Sequence, residues 1–441
     1  MSLRPTSPVC VGLPPSTVRG PDASAAPVGR VRRRTVLYLS GFDPQGAGRY
    51  HALYRQEAQK QGQLTGKTLR VGDRFKDGPL ASGWRVEMPL PQGEQVQTQY
   101  LFLRWDDIVR AHWPRARWRL WGLTLSTTAR MWINGSMWRF LQTSWPAFLA
   151  LVLPSLSLLG SSILLVAGWA ATAWLWPAAP VVALAVGLGS SGVAWQGFRW
   201  MNARAQSDWL MRSARVILMQ ARGELPELEQ RLSHFADRLL AELQAPDGPD
   251  EVLVVGHSSG AMLAVSVVAR ALHHPSTLPD DARKLSLLTL GQCIPVLSYQ
   301  PEARGFRAEL LSLRRHPGLQ WLDVTAPPDG CCFALIDPTA LSTSELQAGT
   351  LQVALQQGPK RLSARFAQMF SPETYSRIRR DKYRCHFQYL MAGEQVSEHD
   401  YFAITAGPLR LMERHAAQPA VQGFPRFQRF GSPLRPPQEG I

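Results

Sequence analysis

The stretch of this 441-residue chain with the clearest chemical potential is Gly256-His257-Ser258-Ser259-Gly260. It offers a hydroxyl nucleophile with a glycine two residues to either side. The setting makes the pattern informative. Glu251-Val252-Leu253-Val254-Val255 is a run of strand formers leading straight into it, and residues 259–272 read as a helix with small residues on one face. So sharp a strand–turn–helix forces the Ser258 backbone into an unfavourable conformation, with Gly256 and Gly260 where chains must pass closely. It exposes the Ser258 hydroxyl at the sheet edge and aims a helix N-terminus at it, favouring negative charge that develops there. His257 is expected on the other side of the turn, in a packing and hydrogen-bonding role. The bland alternative is a tight turn in which Ser258 merely caps the helix.

The surrounding elements determine where that hydroxyl sits. Residues 35–39 form a buried strand that stops at Ser40-Gly41, and residues 49–61 a helix. Residues 84–88 read as an edge strand or hairpin arm, and residues 99–103 as another central strand. Residues 224–243 carry Leu225, Leu228, Leu232, Phe235, Leu239 and Leu243 at helical spacing, and Pro246-Asp247-Gly248-Pro249-Asp250 ends that helix. Further strands are expected at residues 285–290, 319–325 and 386–390. Strands alternating with helices imply an α/β fold with a mostly parallel sheet flanked by helices.

Residues 140–198 interrupt this pattern with 59 consecutive residues that include no Asp, Glu, Lys, Arg or His. Two apolar segments, near 144–171 and 180–198, each approach or exceed the roughly 20 residues that cross a hydrocarbon core. Thirteen of the 15 Trp lie between Trp105 and Trp209, banding both ends and the turn, as interfacial residues do. The net charge of +15 comes from 42 Arg against 6 Lys, and Arg crowds both flanks of the run, with no acid between Asp107 and Asp208. The expectation is a two-helix transmembrane hairpin in the cell membrane, with both flanks, both termini and the attached domain cytoplasmic. The basic flanks favour anionic inner-leaflet headgroups over nucleic acid. Ala183, Gly187 and Ser191 form a small-residue ladder suited to the first helix or to a second copy in a homo-oligomer. Cys10, Cys293, Cys331, Cys332 and Cys385 have neither disulfide-framework nor zinc spacing, so reduced thiols are expected.

Strand, Gly-His-Ser-Ser-Gly elbow and helix, with a later acid and histidine, resemble the α/β-hydrolase superfamily of lipases, esterases and thioesterases. The resemblance spans residues 34–110 and 224–410, with the basic, Trp-rich segment 111–223 as an insertion. A basic arm (1–33), expected to be disordered, and a Pro/Arg-rich tail (411–441) flank it. It implies an acid and then a histidine on loops after successive strands. Asp329, just beyond the 319–325 strand, fits the acid, whereas Asp323 lies inside that strand and Asp337 lies eight residues further on. His399, in a loop before a helix, fits the base. His386, at the start of an expected strand, suits a structural role, and His273, His274, His316 and His415 fall out of order or in surface-like segments. The resemblance also implies an oxyanion hole made by the backbone N–H groups of Ser259 and Phe42, with Gly41 allowing close approach. This chain has Ser40-Gly41 where the family often has His-Gly.

The expected function is cleavage of an ester or thioester, with an acyl or lipid substrate, by Ser258, His399 and Asp329 at the cytoplasmic membrane face. No cofactor or metal is called for. A non-catalytic membrane scaffold that keeps the fold for binding is the alternative.

Overall fold

The computed structural model describes residues 30–277, 281–340 and 358–421. Residues 1–29 of the expected arm and 422–441 of the expected tail lie outside the described residues, as does Cys10.

Nine strands form one mixed sheet: β1 (Arg33–Leu39), β2 (Arg70–Val71), β3 (Phe75–Asp77), β4 (Ala81–Pro89), β5 (Gln95–Leu103), β6 (Glu251–His257), β7 (Leu285–Leu290), β8 (Gln320–Thr325) and β9 (Lys360–Ser363). Their order is β2-β4-β5-β1-β6-β7-β8-β9, with β3 also paired to β4. Every pairing from β5 through β9 is parallel. The pairings of β4 with β2, β3 and β5 are antiparallel, which makes residues 84–88 part of a hairpin arm rather than an edge.

The helices up to β8 are α1 (Ala47–Thr65), α2 (Asp106–Ala111), α3 (Arg117–Ile133), α4 (Ser136–Thr143), α5 (Trp145–Leu175), α6 (Pro180–Ala205), α7 (Ser207–Ala221), α8 (Pro226–Gln244), α9 (Gly260–Leu272), α10 (Asp281–Lys284), α11 (Ile294–Ser298) and α12 (Arg304–Arg315). The two-residue period of the strands splits the core in two. Leu37, Val252, Val254 and Leu287 join the apolar faces of α8 and α9. Val36, Tyr38, Leu253, Val255 and Leu288 join α1 and the C-terminal helices. Both faces of β6 are therefore buried, which accounts for its uninterrupted Val-Leu-Val-Val run.

A buried ion pair closes the end of the sheet opposite the Ser258 turn. Arg34 meets Glu251 at 2.7 Å and donates to the carbonyls of Gly407 and Leu409. Glu251 also accepts from the Ser286 hydroxyl and the Leu411 N–H. The expected tail thus begins as packed structure, with a short helix at Leu411–Arg414 and Leu411 buried.

Residues 386–390 do not form a strand. They close a short helix, Lys382–Phe387, and a 3-10 turn, Gln388–Leu390. Asp381 caps that helix by accepting the Arg384 N–H, and the last strand among the described residues is β9 instead. β9 is four residues long, with two of them basic, so it has no apolar run to mark it.

α5 and α6 are long and apolar enough to cross a membrane. The root of α5 packs inside the molecule, where Ala147, Leu151, Val152, Pro154, Ser155 and Ser157 are buried, and the Thr128 and Ser155 hydroxyls meet at 2.6 Å. Leu153 and Leu156 are exposed on the other face of this root, and the part with no face packed inside the molecule starts near Leu158, later than the sequence suggests. It spans roughly 18 residues, or about 27 Å at the helical rise. Leu159, Ile163, Leu164, Val166, Leu184 and Leu188 are exposed along the two helices. Within the ladder on α6, a Cβ on Gly187 would lie 2.9 Å from the Trp169 ring, and Ser191 accepts the Trp169 indole N–H at 3.0 Å. These two ladder residues therefore face α5.

Candidate active site

Ser258 sits between β6 and α9 with φ +58°, a left-handed conformation that serine rarely adopts. The Ser258 N–H donates to the Leu290 carbonyl, which pins the turn to β7. Close packing explains the glycines around it. A Cβ at Gly256 would lie 2.6 Å from the Ala261 Cα, and one at Gly260 would lie 2.1 Å from the Leu39 carbonyl oxygen. A Cβ at Gly41 would meet the Ser258 Cβ at 2.9 Å, so the loop after β1 passes directly over the serine. The Cys293 thiol lies beside the Ser258 hydroxyl. Burial pushes that thiol up to about 12, although the serine hydroxyl opposes the shift.

Asp329 lies in the loop after β8 and is buried. It accepts from three donors: His386 Nδ1 at 2.8 Å, the Tyr389 hydroxyl at 3.0 Å and the Cys331 N–H at 3.0 Å. Burial raises its pKa, but the His386 ring and the other donors outweigh that and hold it below the usual carboxylate value. The other two acids are occupied elsewhere. Asp323 accepts the Thr289 hydroxyl inside β8, where burial lifts it to about 7, and Asp337 pairs with Arg314 at 3.2 Å.

The histidine expected to meet Asp329 was His399. His399 instead contacts the Tyr389 carbonyl through Nε2 at 2.9 Å, and Asp329 is met by His386. His399 acts one step behind, fixing the backbone of the tyrosine whose hydroxyl holds Asp329. At the start of a strand His386 would have had a structural place only; as part of a helix it turns its ring into the core. The helix signal was present in Asp381, a good N-cap residue, five positions earlier. With Nδ1 on Asp329, the second ring nitrogen, Nε2, is buried and makes no hydrogen bond among the described residues.

His257 packs as expected. Its Nε2 contacts the His386 carbonyl at 2.9 Å, and its ring lies 4.9 Å from that of His386. Burial, followed by the charge of His386, lowers its pKa to about 3, so it stays neutral.

Of the two expected oxyanion donors, the Phe42 N–H is engaged by the Ser259 hydroxyl at 2.8 Å. That hydroxyl must turn away before Phe42 can serve an oxyanion. Ser259 itself lies at the start of α9, where amide protons lack intrahelical partners.

Asp329, Cys331 and His386 bring a carboxylate, a thiol and an imidazole within 4.8 Å of one another. A cation there would have to break the Asp329–His386 hydrogen bond and ionise a thiol that burial holds well above its ordinary value. The donor set is better matched to the hydrogen-bonded pair. The four described cysteines, Cys293, Cys331, Cys332 and Cys385, are free thiols.

Trp209, which the sequence places among the interfacial tryptophans at the exit of the hairpin, instead sits in the site. It comes from the start of α7, donates its indole N–H to the Phe42 carbonyl at 2.6 Å and packs its ring, tilted by 60°, 5.7 Å from the His386 ring. It also lines the cavity of about 40 Å³ that touches Ser258, together with Leu151 of α5 and Ile217 of α7.

Comparison with protein families, curated proteins and solved structures gave no match.

Proposed function

We propose that this chain is a membrane-anchored serine hydrolase of the α/β-hydrolase type, cleaving an acyl ester or thioester with Ser258 as nucleophile. The observation that carries the reading is Ser258 at φ +58° on a strand–helix turn, followed in the chain by the buried Asp329–His386 pair. A strained serine conformation is retained only where surrounding structure enforces it, and such strain clusters at functional sites.

In this mechanism His386 replaces His399 as the base. Asp329 fixes the ring through Nδ1, and Nε2 takes the Ser258 proton as Oγ attacks the acyl carbonyl. The proton then passes to the leaving oxygen or sulfur. The Ser259 N–H, and the Phe42 N–H once the Ser259 hydroxyl rotates, hold the negative oxygen. Water, deprotonated by His386, releases the acyl group and regenerates Ser258.

The hairpin of α5 and α6 would span the membrane, with its arginine-rich flanks on anionic inner-leaflet headgroups, and hold the catalytic domain on the cytoplasmic side. Fluorophosphonate labelling of the membrane-bound protein tests the enzyme reading. Modification should occur at Ser258, vanish in Ser258→Ala, and slow strongly in His386→Ala and Asp329→Asn. A folded protein that binds vesicles but never labels would instead be a scaffold.

A further inference from the structure

Two cavities meet at one side chain, Trp209. The smaller touches Ser258 and the thiols Cys293 and Cys331, and its wall is mostly apolar, with Ala147 and Leu151 from the root of α5 and Ala214 and Ile217 from α7. Its volume of about 40 Å³ is room for only a few waters, so a hydrocarbon chain must part α5 from α7 to enter. The root of α5 continues directly into the exposed apolar part of the same helix, which gives such a chain an unbroken apolar path.

The larger cavity, of about 770 Å³, shares Trp209 and is built from tryptophans together with Arg49, Arg199 and Arg212. Three carboxylates line it too, each accepting hydrogen bonds from uncharged donors. Asp43 accepts from the Gln45 N–H and the Tyr50 hydroxyl, Asp208 from the Asn202 amide, and Asp381 from the Arg384 N–H. Arg49 donates to the Tyr383 hydroxyl and lies 3.9 Å from Asp43. Arg212 donates to the Pro114 carbonyl and lies 4.7 Å over the Trp113 ring. Neither Arg212 nor Arg199 forms an ion pair among the described residues. The Asp208 charge reaches Arg212 but does not pair with it. Two guanidiniums outside ion-pair distance of any carboxylate, one at the end of α6 and one on α7, suit a phosphate.

We infer that the substrate is a single-chain acyl amphiphile with a phosphate-bearing head. Its hydrocarbon chain lies between α5 and α7, its carbonyl lies at Ser258, and its phosphate lies on Arg199 and Arg212. The inference rests on the hydrolase reading above. Trp209 stands where chain and head diverge and must swing aside for the carbonyl to reach Ser258. Water then adds across the acyl bond, giving a free fatty acid and the phosphate-bearing alcohol or thiol. That phosphate can belong to a glycerophospholipid or to a soluble acyl thioester, and both are included as probes.

The test is protection of Ser258 from a small fluorophosphonate, using the full chain in detergent micelles. The competitors are 16-carbon lysophosphatidylglycerol, its six-carbon counterpart, 16-carbon monoacylglycerol and palmitoyl-coenzyme A. The 16-carbon phospholipid should protect at concentrations about tenfold or more below those of the uncharged lipid, as expected for a charge-assisted contact. Arg199→Gln with Arg212→Gln should collapse that ratio within the same variant, and Ala214→Trp should collapse the preference for the long chain. Should Ala214→Trp fail to fold, the chain-length series on the unaltered protein carries that arm. Equal protection by charged and neutral lipids, or by long and short chains, overturns the inference while leaving the hydrolase reading intact. Absence of any Ser258 labelling removes both. Stronger protection by palmitoyl-coenzyme A than by the phospholipid supports the inference and assigns the phosphate to a soluble thioester.

Discussion

Replacing His386 with alanine tests the assignment of the base most directly, because the sequence alone points to His399. General-base assistance contributes about 10²–10⁴ in rate, or about 2.7–5.4 kcal/mol of barrier. The loss in kcat should therefore span two to four decades. The variant should stay folded, because Asp329 keeps two of its three donors, the Tyr389 hydroxyl and the Cys331 N–H. The stability cost should fall at or below the lower end of the about 3–5 kcal/mol for a buried charge stripped of its partner. His399→Gln is the matched control. It keeps a donor for the Tyr389 carbonyl, and the group it alters lies behind the pair rather than in it. Its kcat should change by less than about one decade. The assay is hydrolysis of a short p-nitrophenyl ester together with the second-order rate of fluorophosphonate labelling, each normalised to protein that melts cooperatively. A decade-scale loss in His399→Gln with activity retained in His386→Ala would refute the assignment and return the base to the later histidine.

Three further outcomes follow from the packing. Gly260→Ala puts a Cβ 2.1 Å from the Leu39 carbonyl oxygen, a contact neither backbone can relieve, so thermal melts should show a loss at or above the roughly 1–3 kcal/mol of ordinary overpacking. Arg34→Met leaves Glu251 buried without its ion-pair partner and should cost about 3–5 kcal/mol in urea titrations, with Glu251→Gln in the same chain restoring part of it. Stability should also fall with acidification. Burial lowers the folded-state pKa of His257 to about 3 and also lowers that of His399. The stabilisation is complete above the unfolded histidine value of about 6.5 and declines as pH drops, because the unfolded chain takes up protons that the folded one refuses. His257 alone should contribute up to about 1.4 kcal/mol per pH unit, seen as a falling melting temperature below about pH 6.5. A flat profile from pH 7 to 4.5 would contradict the buried neutral state.

Local features of this chain are legible without a structure wherever the physics is local. The run from Glu251 to Val255 must be a strand buried on both faces, the glycines of Gly256-His257-Ser258-Ser259-Gly260 must serve a turn too tight for side chains, and 59 uncharged residues must form long apolar helices. The place of Asp329 was also within reach, since it lies in the loop just beyond a recognisable strand. Tertiary structure decided what depends on groups distant in the chain. A His-Phe-Gln-Tyr-Leu segment by itself satisfies strand and helix patterns equally well; the Asp381 cap favours the helix, and packing against His257 and Trp209 turns His386 to Asp329. The root of α5 looks like membrane span in sequence because core and lipid favour the same side chains. Its burial beside Ser258 could be seen only once α5 and α7 were placed together over the β6–α9 turn.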